Sequence, residues 1–230
     1  MNEHVIREKL IKKLTKEHPK NTEFLAELPI ANFSRRIDLV MANGQLSGFE
    51  IKSERDSLIR LEGQLETYLK YFENITVVCA TKHLENVMKM VDSKIGVWEF
   101  DGKYLIEHQK AIYQSLTKSN WLSFLNIAGL KQLLRYHQRK VSGVKADLIE
   151  RALSLSEKQI RTFLLAYLKQ QFPLIQERRL LVKKERTSQF SSSRKLNIEI
   201  RDKALSDLTL NEEEFLTLPS GLKVRPMLNL

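Results

Sequence analysis

Apolar and polar positions alternate along the chain with two periods, and the period changes from segment to segment. From Glu3 to His18, the residues Ile6, Leu10 and Leu14 fall on one stripe at helical spacing, with Pro19 just beyond, which predicts a helix. Strands are predicted over 22–30, 35–42 and 46–53, and Asn43-Gly44 gives a tight hairpin signal between the second and third. Leu58, Leu61, Leu65, Leu69 and Phe72 make a second stripe and predict a helix over 56–72. The apolar run ITVVCA (75–80) reads as a buried strand and 83–91 as a helix. IGVWEF and KYLIEH, joined by Asp101-Gly102, read as a second hairpin. The order α, β-β-β, α, β, α, β-β predicts an α/β fold, a mixed sheet with at least one crossover helix.

After residue 115 no strand pattern is convincing. Short amphipathic helices are predicted over WLSFLNIAGLKQLLRYHQ, ADLIERALSL and SEKQIRTFLLAYLKQQF, followed by the basic, Ser-rich stretch ERRLLVKKERTSQFSSSRK and a weakly patterned C-terminal segment. The expected organisation is an α/β domain over 1–115, a small all-α module over 116–172, and a basic linker and tail over 173–230.

Composition narrows the class. Of 230 residues, 42% are apolar and only 8 are Gly and 5 Pro, so most of the chain is expected to fold. No run of about 18 apolar residues is present and the N-terminus is charged throughout, so neither a membrane span nor a signal peptide is expected. The single cysteine, Cys79, lies in an apolar run and is read as a small core residue in a reducing compartment, the cytoplasm. Charge is segregated. Residues 1–115 carry 17 basic and 17 acidic side chains, 116–195 carry 17 and 5, and 196–230 carry 4 and 6, so the net +10 arises from the second segment. A localised excess of this kind points to a polyanion, usually nucleic acid; the alternative is a solubilising surface.

The candidate chemistry lies in the first half. In FEIKS, Glu50 and Lys52 share one strand face and Phe49 and Ile51 the other, with Gly48 on the charged face expected to leave open space there. Asp38, in RRIDLV, lies on the strand predicted to pair across the Asn-Gly turn. Two converging carboxylates repel unless a cation lies between them, and oxygen donors suit Mg2+. Lys52 would then stand near a metal-bound water. The alternative is an ion pair between Glu50 and Lys52.

Asp38 followed by Glu50-Ile51-Lys52 on the next strand resembles the signature of the PD-(D/E)XK nuclease superfamily, in its small bacterial and phage restriction-endonuclease-like branch. Gln64 and Tyr68 resemble the Q-x3-Y element that some branches carry on the following helix. The match covers roughly residues 1–110. It departs from the pattern at Ile37, where the signature has proline, and the extra acidic residue is not obvious, with Glu27 the first choice and Glu8 the second. The resemblance implies a restriction-endonuclease-like sheet flanked by helices and a Mg2+-dependent deoxyribonuclease, with Mn2+ as a substitute ion. It implies metal ligation by Asp38, Glu50 and the Ile51 carbonyl, water activation by Lys52, support from Gln64, and a 5′-phosphate product. Arg36, Arg60 and Tyr68 are candidate DNA contacts, although Arg60 could equally pair with Asp56 on a helix.

In the second half, IAGLKQLLRYHQRKVSGVKADLIERAL (127–153) resembles a SAP motif, a small helix-turn-helix DNA-binding element. Leu130, Leu133, Leu134 and Leu148 would form its seam, Gly143 its left-handed turn, and Lys140, Lys145 and Arg151 its phosphate contacts. Together the resemblances imply DNA as partner; no membrane partner is expected, and the oligomeric state stays open, with a homodimer as one option. Two rivals remain open: a noncatalytic DNA-binding protein that kept the fold, and a nuclease acting on RNA.

Overall fold

The computed structural model describes residues 2–31, 33–207, 216–217 and 223–224. The chain divides into two compact units, 1–176 and 177–230.

The first unit opens with α1 (Glu3–Glu17), capped by the Asn2 side chain, which accepts from the Val5 amide at 3.1 Å. Strands β1 (Glu23–Ile30), β2 (Arg35–Ala42) and β3 (Leu46–Lys52) follow, then α2 (Leu61–Tyr68), β4 (Asn74–Ala80), α3 (Thr81–Met90), β5 (Gly96–Phe100) and β6 (Leu105–Gln109). The six strands form one sheet in chain order. β1, β2 and β3 pair antiparallel, β3 with β4 and β4 with β5 pair parallel, and β6 returns antiparallel on β5. The two parallel pairings require the crossovers that α2 and α3 supply. The mixed α/β sheet flanked by helices is therefore the one the apolar pattern predicts.

The helix over 56–72 is the part that differs. Asp56 accepts from the Ser53 amide (2.7 Å) and hydroxyl, which holds a turn, and the helix begins only at Leu61. Arg60 is thus the residue before the helix, and the alternative reading of Arg60 as a helical partner of Asp56 has no helix to form on.

Each face of the sheet has its own core. Phe49 and Ile51 of β3 join Leu39, Met41 and Val78 beneath Ile6, Leu10 and Leu14 of α1. The opposite face packs Val40, Leu65, Phe72, Ile75 and Val77 in one cluster with the helices beyond residue 115. Those helices are α4 (Lys118–Ser123), α5 (Ile127–Tyr136), α6 (Lys145–Leu153) and α7 (Glu157–Asp207). Phe124 meets Tyr71 and Phe72 edge-on, with ring centroids 5.9 and 6.1 Å away. Ile160, Leu164, Leu168 and Phe172 of α7 are all buried. This stripe anchors α7 to the core as far as Phe172, and the helix then runs on through Pro173, where a linker was expected to begin.

One buried ion pair fastens α7 to the sheet. The Glu73 carboxylate is fully buried, accepts from Arg161 Nε at 2.6 Å and from the Leu46 amide at 2.8 Å, and Arg161 also donates to the Gly44 carbonyl at 2.8 Å. Gly48 is tightly enclosed: a Cβ there would stand 2.4 Å from Ile37 Cδ1, 2.9 Å from Ile75 Cδ1 and 3.0 Å from the Phe72 ring. The open space expected over Gly48 is therefore filled by core side chains. Cys79 is buried in β4, and burial pushes its thiol up to about 12, so it is a core residue and no nucleophile at neutral pH.

In the second unit, α7 continues to Asp207 and a short antiparallel pair joins β7 (Leu216–Thr217) to β8 (Lys223–Val224).

Candidate functional site

Glu50 is buried at 2% exposure in a strand that lies between two others, so its charge needs partners. It has three. Lys52 Nζ donates to Oε1 at 2.7 Å, Gln64 Nε2 donates to the same oxygen at 2.6 Å, and the Tyr68 hydroxyl lies 2.9 Å from Oε2. Lys52 also donates to Gln64 Oε1 at 3.0 Å. The strand alternation puts Glu50 and Lys52 on one face, and the one-turn spacing of Gln64 and Tyr68 on α2 points both at that face. Tyr68 Oη is also 2.8 Å from the Arg36 carbonyl. Its single proton favours the carboxylate as acceptor. Burial, and next the Glu50 charge, raise the Tyr68 hydroxyl well above the ordinary tyrosine range, so it stays protonated.

Asp38 lies beside this network. Its Oδ2 accepts from the Ile51 amide at 2.7 Å. Burial, with the Glu50 charge second, pushes its carboxyl up to about 8, against that hydrogen bond and the Lys52 charge, which favour the anion. The expected convergence of Asp38, Glu50, Lys52, Gln64 and Tyr68 thus takes place.

The acidic neighbours of Asp38 are partly those expected. One carboxylate oxygen each from Glu3, Glu27 and Asp38 lies within 4.8 Å of the others. Glu27 was the first choice for the extra acid. Glu8 was the second, but it faces away, 3.3 Å from His4 on the exposed side of α1. Glu3, one turn and a residue earlier on that helix, takes the place instead. Glu27 has φ +56 opposite Asp38, a left-handed conformation inside a strand that breaks the regular alternation there. Arg7 threads the cluster: its Nη1 donates to Glu27 Oε1 at 2.9 Å and lies 3.3 Å from Glu3 Oε1. Arg36 Nη1 is 3.4 Å from Glu27 Oε2. Sequence reasoning missed Glu3 and Arg7; their i,i+4 spacing at a helix start was the available signal. Arg60 is exposed before α2.

The α5–α6 hairpin forms as expected. Leu130, Leu133, Leu134 and Leu148 are buried as its seam. Gly143 has φ +111, and a Cβ there would meet Asp147 Oδ2 and an Arg151 nitrogen at 2.9 Å, so only glycine fits the turn. Arg151 is a loop clamp: Nη1 donates to the Lys140 carbonyl at 2.6 Å and Nη2 to the Ser142 carbonyl. Lys140 and Lys145 are exposed, and Lys145 opens α6 rather than lying in the loop.

Comparison with known proteins supplies the family. Protein cII of Enterobacteria phage P4 is 39% identical over 153 residues, which are 64% of this chain and 58% of that protein, so the match spans less than two thirds of the relative's length. Among solved structures, the SPO1766 protein of unknown function from Silicibacter pomeroyi aligns over 60% of this chain and 95% of its own, at 14% identity and a TM-score of 0.38, too low to argue a shared fold.

These matches correct the expectation drawn from the D…ExK pattern. The chain is not assigned to the PD-(D/E)XK superfamily, nor to a nuclease joined to a SAP motif, and the Mg2+-dependent deoxyribonuclease activity goes with that assignment. A short motif on paired strands is compatible with a self-satisfied ion network, which is the state of Glu50 here: both of its oxygens are held by protein donors. Over residues 1–205 the match is to a different family model, and the chain belongs to the Bacteriophage P4 protein cII family.

Proposed function

We propose that this protein binds DNA through the basic surface of its helical half, without cleaving it. The observation that carries the reading is the charge segregation: residues 116–195 hold 17 basic and 5 acidic side chains, while 1–115 balance at 17 and 17. Its placement supports it. Arg135, Arg139, Lys140 and Lys145 are exposed on and around the α5–α6 hairpin, whose loop is held by Gly143 and the Arg151 clamp. A pre-formed loop loses little entropy on meeting a phosphate backbone. The sheet then acts as scaffold and the Glu50 network as part of its interior. The reading puts the protein in the cytoplasm; among the described residues no helix is long and apolar enough to cross a membrane.

A divalent cation belongs to the proposal as a structural ligand only. Glu3, Glu27 and Asp38 offer hard oxygen donors, and Asp38 disfavours its own charged form unless a cation is near, which fits Mg2+ with Mn2+ as substitute. Arg7 is the competing cation at the same carboxylates.

The test is fluorescence anisotropy of labelled duplex DNA and of RNA of equal length, with wild type and the Lys140→Ala, Lys145→Ala double variant. Binding to DNA that weakens in the variant supports the reading. Absence of binding to either, at low salt, leaves the charge as a solubilising surface and overturns it. Tighter binding to RNA than to DNA overturns the choice of partner.

A further inference from the structure

Beside the hairpin, α5 and the start of α7 enclose a cavity of about 450 Å³, within the range of sites that take small ring-shaped ligands. Its walls are aromatic. Tyr136, 73% exposed, lies with its ring centroid 6.0 Å from that of Phe163, and Phe163 stacks on Tyr167 at 6.0 Å with planes 17° apart. The Tyr167 ring lies against Gly129, where a Cβ would stand 3.0 Å from it, so the glycine sets how close the wall can come. The polar lining consists of the Gln132, Gln159 and Gln170 amides, the Ser156 and Thr162 hydroxyls and the His137 imidazole. Gln159 is held in the wall: its Oε1 accepts from the Ser156 amide at 2.9 Å and hydroxyl at 3.0 Å, and its Nε2 lies 3.4 Å from His137 Nδ1. Lys158 also lines the cavity and no carboxylate does.

An aromatic wall beside side-chain amides and one lysine, with no carboxylate among the described lining residues, matches the face and edge of a nucleobase attached to a phosphate chain. Stacking of this kind is available only to a base outside a duplex. We infer that this cavity receives one unstacked nucleobase of single-stranded DNA, with Tyr136 as the exposed stacking ring and the lining amides of Gln132 and Gln170 offered to the base edge. The inference rests on the DNA-binding reading above and adds to it a preference for unpaired strands.

Tyr136 is exposed, so its replacement leaves the core intact. The full-length chain is titrated with labelled single-stranded and duplex DNA of equal length, as wild type, Tyr136→Ala and Tyr136→Phe. The expected result is tighter binding of the single strand by wild type, a roughly ten- to hundredfold loss of that affinity in Tyr136→Ala, retention in Tyr136→Phe, and unchanged duplex affinity in both variants. Duplex binding with single-strand affinity unmoved by Tyr136→Ala overturns this inference and leaves the DNA reading standing. Equal loss on both substrates, or equal loss in both variants, overturns base stacking. No binding to any DNA overturns both.

Discussion

Asp38→Asn isolates the one carboxyl whose environment opposes its charge. In the folded protein that carboxyl is pushed from 3.8 up to about 8, first by burial and next by Glu50. The folded state therefore holds a proton that the unfolded state releases across this window, and wild-type stability falls as pH rises from about 4 to about 8, then levels. At about 1.4 kcal/mol per unit, the interval corresponds to a loss on the order of 5 kcal/mol. Asparagine keeps an oxygen to accept from the Ile51 amide and removes the titration. The variant should match wild type below about pH 3, where Asp38 is protonated in both states, and exceed it by several kcal/mol near pH 8. Urea unfolding across this range, in EDTA, reads the difference directly. Adding Mg2+ at the alkaline end should stabilise wild type more than Asp38→Asn, which keeps only Glu3 and Glu27 of the three clustered carboxylates. Parallel pH profiles for the two proteins would refute the reasoning, because they would show that Asp38 titrates alike folded and unfolded.

The remaining predictions concern packing and the hairpin. Gly48→Ala should cost about 1–3 kcal/mol in chemical denaturation, because its Cβ would stand 2.4 Å from Ile37 Cδ1 between two packed layers. Arg161→Met should cost about 3 kcal/mol or more, since it strands the fully buried Glu73 carboxylate. Glu73→Gln should cost less, because Arg161 keeps 28% of its side chain in solvent. Gly143→Ala should cost about 1–3 kcal/mol in chemical denaturation and weaken DNA binding, because its φ of +111 strains any residue with a Cβ.

The order of elements up to residue 109 was legible because each apolar stripe in it is buried in one face of one core. Leu10 and Leu14 lie under β3, and Leu65 and Phe72 lie on the other side of the same sheet. The site was legible as far as local periodicity reaches. Glu50, Lys52, Gln64 and Tyr68 meet because a two-residue strand spacing and a four-residue helix spacing each fix a direction. The bond between Glu73 and Arg161, 88 positions apart, has no periodic signature, and neither does the left-handed kink at Glu27 that brings it to Asp38. The start of α2 was misplaced because a side-chain turn at Ser53–Asp56 competed with the helix. The function was misread for another reason: a D…ExK pattern on paired strands specifies a geometry, and a geometry does not specify a chemistry.

The most direct measurement of the central claim is the affinity of the full-length protein for a short duplex DNA as a function of salt. Phosphate contacts by the hairpin predict a linear fall of log K with log salt, with a slope that becomes shallower by about 0.9 for each of Lys140 and Lys145 replaced by alanine. A binding constant independent of salt, or a slope the two substitutions leave unchanged, would contradict the assignment of DNA binding to this surface.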